Sequence, residues 1–189
     1  SRGLGDVYKR QEETGVRIIG ASELTVDGYC RVCSSEAREL LLKGRPEEAA
    51  RILGAPYRII GRVVHGKELG RKIGFPTANI EPLDEECLIP ANGVYAAAVT
   101  LADSTTYPAM LNIGHRPSVD TPLAPISIEA HILGFNGDIY GTTVAVDFLR
   151  YMRPEHKFPS LDALRSRLAE DAAAVMALSE TKNMITSSL

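Results

Sequence analysis

The sequence predicts a mainly-β fold, a small antiparallel β-barrel of about six strands followed by a C-terminal α-helix. Short runs rich in β-branched and aromatic residues recur between clusters of glycine, proline, asparagine and aspartate, which is the pattern of strands joined by turns. One helical pattern follows the last of these runs. With 189 residues and 44% hydrophobic content, the chain is long enough to bury one good core.

Five β-rich runs account for most of the predicted barrel, and they cover residues 57–65, 93–102, 107–113, 126–133 and 143–151. Asp103-Ser104 is a predicted turn between two of them. The segment Asn136-Gly137-Asp138 is another, because Asn-Gly is a strong hairpin signal. Short strands with such turns, followed by one helix, indicate a small barrel with a terminal cover.

The last predicted element is a helix that Ser160 caps. Its apolar residues recur at helical spacing and form one stripe, made of Leu161, Leu164, Leu168 and Val175. Stripes of this kind are usually buried, so we expect ordinary core packing of this helix against the barrel.

Two shorter helices are predicted ahead of the barrel. Ser34 or Ser35 caps the first helix, which ends at Gly44. Pro46 lies where a first-turn proline belongs in the second helix, and Gly54 ends that helix. The two therefore form a helical hairpin.

The segment GRKIGFPTANI begins with a loop that suits a nucleotide triphosphate. Gly70 and Gly74 accept positive φ and leave backbone N–H groups uncovered, so the loop can approach phosphates closely. Arg71 and Lys72 add positive charge to the same loop. The sequence therefore predicts a phosphate-binding loop here.

The same segment ends in candidate metal ligands. Pro76 forces Phe75 into an extended conformation, so the chain is expected to leave the binding loop as a strand. Residues two apart on a strand share a face, which places the Thr77 hydroxyl and the Asn79 carboxamide together. Both supply the hard oxygen ligands that Mg²⁺ accepts beside substrate phosphates.

The run 126–133 has a clear two-residue alternation. One predicted face is apolar and consists of Ile126, Ile128, Ala130 and Ile132. The other face carries Ser127, Glu129 and His131. Glu129 is therefore either a solvated strand carboxylate, paired with His131, or a catalytic group on an exposed face.

These motifs together resemble the riboflavin kinases, and more closely the kinase half of the bacterial bifunctional riboflavin kinase/FMN adenylyltransferases. The resemblance covers residues 57–178 through GRVVHG, GRKIGFPTANI, IPANGVY, LNIGHRPSV, SIEAHIL, GDIYG and RPEHKF. Several ordered motifs agree, and the family implies a Greek-key-like barrel.

The resemblance also implies a reaction, the transfer of the γ-phosphate of ATP to the 5′-hydroxyl of riboflavin, which gives FMN and ADP. It implies ATP as a substrate and Mg²⁺ as a cofactor held by Thr77 and Asn79. The glycine-rich loop 70–74 would cover the ATP phosphates. Glu129 would be the catalytic base. These roles are expectations carried over from the family onto matching residues.

Other polar residues leave two interpretations open. Asn112, His115 and Arg116, in LNIGHRPS, either line the flavin or nucleotide mouth or belong to a turn that joins two strands. Arg153, His156 and Lys157 follow the last strand, where the family has a flavin-side loop. We interpret these three as a solvated charge cluster, because loop charges are usually solvated.

The expected domain organisation has four parts. Residues 1–11 have no apolar periodicity and are interpreted as a non-native leader. Residues 12–56 resemble the end of the FMN adenylyltransferase domain, and residues 57–182 are the expected kinase domain with a tail at 183–189. Glu36 stands where that adenylyltransferase segment has a phosphate-binding Arg, and no HxGH motif is present. We therefore expect no FAD synthesis from this chain and expect the missing domain in the full-length protein.

Composition excludes several classes of function. A net charge of −3 argues against a nucleic-acid-binding protein. No apolar run approaches the ~18 residues of a membrane span, and no signal peptide is recognised, so a cytoplasmic location is expected. Cys30, Cys33 and Cys87 form no disulfide framework and are expected to be reduced and unligated.

Three competing interpretations remain at this point. GRVVHGK matches half of a P-loop, but Glu68 occupies the Ser/Thr position and would repel phosphate. A non-catalytic barrel that binds flavin or nucleotide would keep the fold, although Thr77, Asn79 and Glu129 favour an enzyme. A kinase with another small acceptor would also fit the same barrel.

Overall fold

The computed structural model describes residues 25–26, 30–31, 34–66, 70, 73–115 and 126–186. The chain divides into two compact units, residues 1–32 and residues 33–189. In the first unit, strands β1 (Thr25–Val26) and β2 (Cys30–Arg31) pair in antiparallel fashion. The predicted leader 1–11 lies outside the described residues.

The second unit contains the predicted barrel. Its elements in chain order are α1 (Ser34–Leu42), α2 (Pro46–Leu53), β3 (Tyr57–Val64), β4 (Ala78–Pro82), β5 (Gly93–Thr100), β6 (Thr106–His115), β7 (Ile126–Ile132), β8 (Thr143–Arg153) and α3 (Leu161–Thr186). Six antiparallel strands close a barrel in the order β3-β4-β7-β6-β5-β8. The predicted fold class, an antiparallel barrel with a C-terminal helix, is confirmed. The sixth strand, β4, begins within the PTAN motif, at Ala78.

Apolar side chains from all six strands fill the barrel. Tyr95 and Phe148 are fully buried, and their rings meet edge to face with centroids 5.3 Å apart. The Tyr95 hydroxyl donates a hydrogen bond to the carbonyl of Ala91, so its polar atom is satisfied. Burial raises the pKa of this phenol. The interior of the barrel is therefore a packed core.

The C-terminal helix α3 covers the outer face of β5 and β6. Val175 packs there with Ala96 and Met110, and Leu168 joins this second cluster. The Ser160 cap is confirmed, since its Oγ accepts a hydrogen bond from the Ala163 amide at 3.1 Å. The apolar stripe begins later than predicted. Leu161 is 60% exposed because it is the first helical residue, ahead of the turns that lie on the sheet.

The helical hairpin packs on the barrel within the same compact unit. Gly44 and Gly54 have the positive φ that ends a helix, at +69° and +75°. The Ala91 amide donates to the Leu41 carbonyl at 3.0 Å, and a Cβ at Gly44 would lie 3.2 Å from the Tyr151 ring. The domain boundary at residue 56 stays a prediction, and these contacts indicate that the barrel gains stability from the hairpin.

Candidate active site

Three polar residues form a row across the outer face of the barrel. In the strand register, Glu129 on β7 lies between Asn79 on β4 and Asn112 on β6. Side chains directly opposite each other on antiparallel strands approach within about 5 Å at Cβ. Two predicted binding residues and the predicted base are therefore immediate neighbours. We call Asn79, Glu129 and Asn112 the polar row.

The alternation predicted for β7 is present from Ile128 to Ile132. Ile128 is buried at 4% exposure, whereas Glu129 and His131 on the opposite face are half-buried. Two end residues differ from the prediction. Ile126 is 48% exposed at the strand end, and Ser127 is buried because its hydroxyl donates to the Gly114 carbonyl at 3.3 Å.

The loop before β4 turns tightly around Gly70. The Gly70 carbonyl accepts hydrogen bonds from the amides of Ile73 at 3.1 Å and Phe75 at 2.9 Å. A Cβ at Gly70 would lie 2.2 Å from the Phe75 carbonyl oxygen, so this position requires glycine. Gly74 has a φ of +84°, as the phosphate-loop interpretation expected. Three predicted binding residues lie outside the described part of the chain: Arg71, Lys72 and Arg116.

Contacts from β7 hold the end of this loop. The carbonyl of Pro76 lies 2.7 Å from Nδ1 of His131, and the Phe75 and His131 rings meet edge to face at 5.2 Å. Thr77 follows as the last loop residue, because β4 begins at Ala78. The strand that carries the predicted base therefore also fixes the segment that carries a predicted metal ligand.

Asn79 lies within the ladder and is 5% exposed. Gly66 lies against its carboxamide, since a Cβ at Gly66 would be 1.9 Å from Nδ2. The described residues contain no group of three or more His, Cys, Asp or Glu side chains that could hold a metal ion. A divalent cation at Thr77 and Asn79 would therefore take most of its ligands from substrate phosphates and water, as Mg²⁺ commonly does.

Two cavities meet at Thr77. The first, which we call the large cavity, has a volume of about 650 Å³, and its lining includes His65, Thr77, Phe135, Asn136, Asp138 and Tyr140. The second, which we call the apolar cavity, has a volume of about 270 Å³, and its lining includes Ile73, Phe75, Thr77, Met110, Phe158 and Leu168. Asn112 and Glu129 of the polar row also line the apolar cavity.

The wall of the large cavity is built by the β7–β8 connection. Asp138 Oδ1 accepts a hydrogen bond from the Tyr140 amide at 3.0 Å, which forms a turn over residues 138–140. The hairpin that Asn136-Gly137 indicates is absent, because β7 and β8 are not neighbours in the barrel. The Tyr140 ring stacks on His65, with centroids 3.8 Å apart and planes 21° from parallel. This rigid aromatic pair gives the cavity a flat side.

Glu155 is a site residue that sequence reasoning missed. Asn112 Nδ2 donates to Glu155 Oε1 at 3.0 Å, and a Cβ at Gly114 would lie 2.2 Å from the same oxygen. Asn112 and Gly114 are two residues apart on one face of β6, so the N-x-G spacing places a donor beside a position without a side chain. Asn112 therefore lies within β6 at the cavity wall and not in a turn, and its binding role stays a prediction.

The prediction of a solvated charge cluster after β8 is wrong for Arg153. Its guanidinium Nη2 lies 2.7 Å from Oδ2 of Asp171, and the two side chains are only 13% and 1% exposed. A buried carboxylate such as Asp171 needs an ion partner, and α3 brings it to Arg153 from 18 residues away. Arg153 also lies over the Phe158 ring, 5.7 Å from its centroid. His156 and Lys157 are exposed, as predicted.

Comparison with known proteins identifies the family. Residues 53–179 match the family described as "Flavokinase: Riboflavin kinase". The chain belongs to the riboflavin kinase family. The match includes the whole barrel, the polar row and both cavities, so the geometry above is that of a riboflavin kinase domain.

Relatives of this riboflavin kinase domain include bifunctional enzymes. A bifunctional riboflavin kinase/FMN adenylyltransferase of Pseudomonas fluorescens is 38% identical over 164 residues, which are 87% of this chain and 51% of the relative. The enzyme of the same description from Haemophilus influenzae is 40% identical over 147 residues, 78% of this chain and 46% of the relative. The chain thus spans about half the length of the curated relatives it matches.

A solved structure shares this fold. It is described as a macrolide-efflux protein from Streptococcus pneumoniae, with a TM-score of 0.75 and 34% sequence identity. The match covers 89% of this chain and 54% of that chain. Among the helices that the structure describes here, none is long and apolar enough to cross a membrane.

Proposed function

We propose that this chain transfers the γ-phosphate of ATP to the 5′-hydroxyl of riboflavin and releases FMN and ADP. The observation that carries the proposal is the position of Thr77, which lines both cavities, with Glu129 on the wall of one of them. A phosphate donor in the large cavity and an alcohol in the apolar cavity would meet at this residue. Such an arrangement supplies the proximity that phosphoryl transfer requires.

The apolar cavity is the proposed flavin site. Its side walls are the rings and aliphatic groups of Phe75, Phe158 and Leu168, which suit the flat isoalloxazine system. Glu129 and Asn112 lie on the strand wall of this cavity, and Arg153, Glu155 and His156 add polar groups from the end of β8 and the loop that follows it. The isoalloxazine ring would therefore contact the apolar walls while the ribityl chain extends toward Glu129.

The large cavity is the proposed nucleotide site. Its volume of about 650 Å³ lies within the range of ordinary small-molecule sites, about 300–1,000 Å³. The flat His65–Tyr140 pair offers an aromatic surface to a base, and the loop 70–74 is proposed to lie over the phosphates. Arg71 and Lys72 are proposed to add cationic groups to the phosphates.

The proposed chemistry needs little covalent participation by the protein. Mg²⁺ bound to the ATP phosphates would neutralise their charge, and Thr77 and Asn79 are the residues proposed to hold it. Glu129 would accept the proton of the attacking hydroxyl, for which it needs only hydrogen-bond reach. Asn79 and Asn112 flank Glu129 in the ladder and restrict where its carboxylate can point.

The full-length protein is proposed to contain an adenylyltransferase domain, because relatives described as bifunctional are about twice as long as this chain. The 189 residues have no HxGH motif and carry Glu36 at a position where a phosphate-binding Arg is expected. This chain alone is therefore proposed to stop at FMN. A cytoplasmic location stays a prediction.

Product analysis tests this proposal. The purified chain is incubated with riboflavin and excess MgATP, and riboflavin, FMN and FAD are separated by chromatography. We expect FMN in proportion to enzyme and no FAD. Accumulation of FAD would contradict the proposed division of activities. Absence of FMN, from a chain that still binds riboflavin, would favour the non-catalytic barrel.

A further inference from the structure

His131 makes a contact that the proposed chemistry does not use. Its Nδ1 lies 2.7 Å from the carbonyl oxygen of Pro76, across 55 residues of sequence. It lies two residues from Glu129 on the same face of β7, so one strand presents both side chains to the apolar cavity.

The chemistry of this contact fixes the proton on one ring nitrogen. A carbonyl oxygen has no proton, so the hydrogen bond requires that Nδ1 of His131 be the donor. Proline has no amide hydrogen, so the Pro76 carbonyl is the only hydrogen-bonding group of that residue. In the neutral ring, Nε2 is then the acceptor nitrogen.

The hydrogen bond acts at the point where the loop ends. The carbonyl of Pro76 belongs to the peptide unit that precedes Thr77, and a peptide unit is planar. Fixing that oxygen therefore fixes the plane from which the Thr77 backbone continues. The edge-to-face contact between Phe75 and His131, at 5.2 Å, restrains the preceding residue as well.

We propose that His131 is a positioning residue, whose Nδ1–H bond to Pro76 holds Thr77 between the two cavities for the metal and phosphates. The proposal rests on the proposed function, since it gives Thr77 a ligand's role. Replacement of a residue that contacts and orients a metal ligand commonly lowers metal affinity or activity by about 10–100-fold.

Two substitutions separate the hydrogen bond from the ring contact. In His131→Asn the side-chain amide nitrogen can take the place of Nδ1, while the ring that meets Phe75 is lost. In His131→Phe the ring remains and the donor is lost. If the hydrogen bond positions the loop, the Phe variant has the larger defect. If ring packing alone matters, the His131→Asn variant has the larger defect.

The first measurement is hydrogen exchange of the ligand-free protein over residues 73–80. We expect His131→Phe to speed exchange there by roughly fivefold, the factor that a hydrogen bond of typical net strength gives. His131→Asn should stay near wild type. Equal exchange in all three proteins, or a larger effect in His131→Asn, overturns the proposal.

The second measurement is the Mg²⁺ concentration at half-maximal FMN formation. We expect it to rise about tenfold in His131→Phe, with a smaller change in the riboflavin KM. A general loss of packing would instead lower turnover without a selective shift in Mg²⁺ dependence. An unchanged Mg²⁺ dependence in His131→Phe contradicts the positioning role.

A third measurement uses the wild-type chain and does not depend on either variant folding. Nitrogen-15 NMR of the His131 ring is expected to find a proton on Nδ1. A ring whose proton is on Nε2 alone overturns the hydrogen bond. If the wild-type chain forms no FMN, the proposed function fails, whereas exchange and NMR still decide whether His131 holds this loop.

Discussion

Two adjacent rows of residues cross the same three strands and have opposite characters. One row is Ile80, Ile128 and Ile113, all buried in the barrel at 4% exposure or less. The other is the polar row, Asn79, Glu129 and Asn112, on the outer face. Each member of one row is the chain neighbour of a member of the other, so a single residue step along each strand separates core from site.

This difference shows that the packing of the barrel core fixes the strand register, and with it the outward direction of the site residues. Because side chains alternate strictly along a strand, the isoleucines cannot pack inside unless Asn79, Glu129 and Asn112 face outward together. A slip by one residue would bury the carboxylate and expose the isoleucines, which is costly on both counts. The inner row should therefore control stability and the outer row turnover, and the following experiments test that separation in order of expected effect on turnover.

Replacement of the predicted base should have the largest effect. Glu129→Gln keeps size and hydrogen-bonding capacity but removes basicity, so turnover should fall by roughly 10²-fold or more while riboflavin still binds. The matched control is Glu81→Gln, an exposed carboxylate on β4. Steady-state rates of FMN formation and thermal unfolding give the comparison. Near-normal turnover in Glu129→Gln would show that Glu129 is not the catalytic base.

Loss of the proposed metal ligands should come next. Thr77→Val and Asn79→Leu each remove an oxygen with little change in volume, and each should lower kcat/KM for MgATP by about tenfold. Thr143→Val, at an exposed strand position, is the control. Rates of FMN formation measured across Mg²⁺ and ATP concentrations test whether the two residues bind the metal. If both variants keep wild-type Mg²⁺ dependence, PTAN is simply the entry to β4.

Truncation should affect turnover less than stability. Deletion of residues 1–56 is expected to leave FMN formation largely intact, because both proposed cavities are lined by residues after that point. It removes the buried residues Leu41 and Ala49 of the hairpin, so the melting temperature should fall.

The matched truncation is deletion of residues 1–32, which leaves the second compact unit whole. Its melting temperature should stay closer to that of the full chain. Loss of FMN formation in the longer deletion, measured on protein that remains folded, would place part of the active site in the hairpin.

The smallest effect on turnover is expected from the inner row. Ile128→Val removes one buried methylene from the core, which should lower the free energy of unfolding by about 0.5–1.5 kcal/mol. Turnover of the folded protein should not change, although Ile128 is the chain neighbour of Glu129. Denaturant unfolding and rate measurements on one preparation test this. A fall in kcat without a fall in stability would mean that the two rows are not separable.

Much of the fold and part of the site could be predicted from local patterns. The two-residue alternation around Glu129 and the Ser160 cap are properties of short segments, and the structure has both. Alternation failed at the strand start, where Ile126 is the first strand residue and is exposed, and where Ser127 donates a hydrogen bond to the Gly114 carbonyl. End positions depend on neighbours that a single strand does not specify.

The residues that sequence reasoning missed act through contacts distant in the chain. Glu155 meets Asn112 from 43 residues away, and Arg153 is buried in an ion pair with Asp171, which lies on α3. The position of His131 on β7 suggests a pairing with Glu129, whereas in the structure it contacts the Pro76 carbonyl. Side-chain type and spacing do not determine such pairings.

The sequence by itself determined the period of each strand, the glycine turn before β4, and hence which residues of each strand share a face with Asn79, Glu129 or Asn112. These follow from backbone sterics and the alternation of side chains, which act within a few residues. Only the tertiary structure decided that Asn79, Glu129 and Asn112 form one row, and that two cavities meet at Thr77. Strand order and register set those distances, because closing the barrel brings together segments that no local interaction connects.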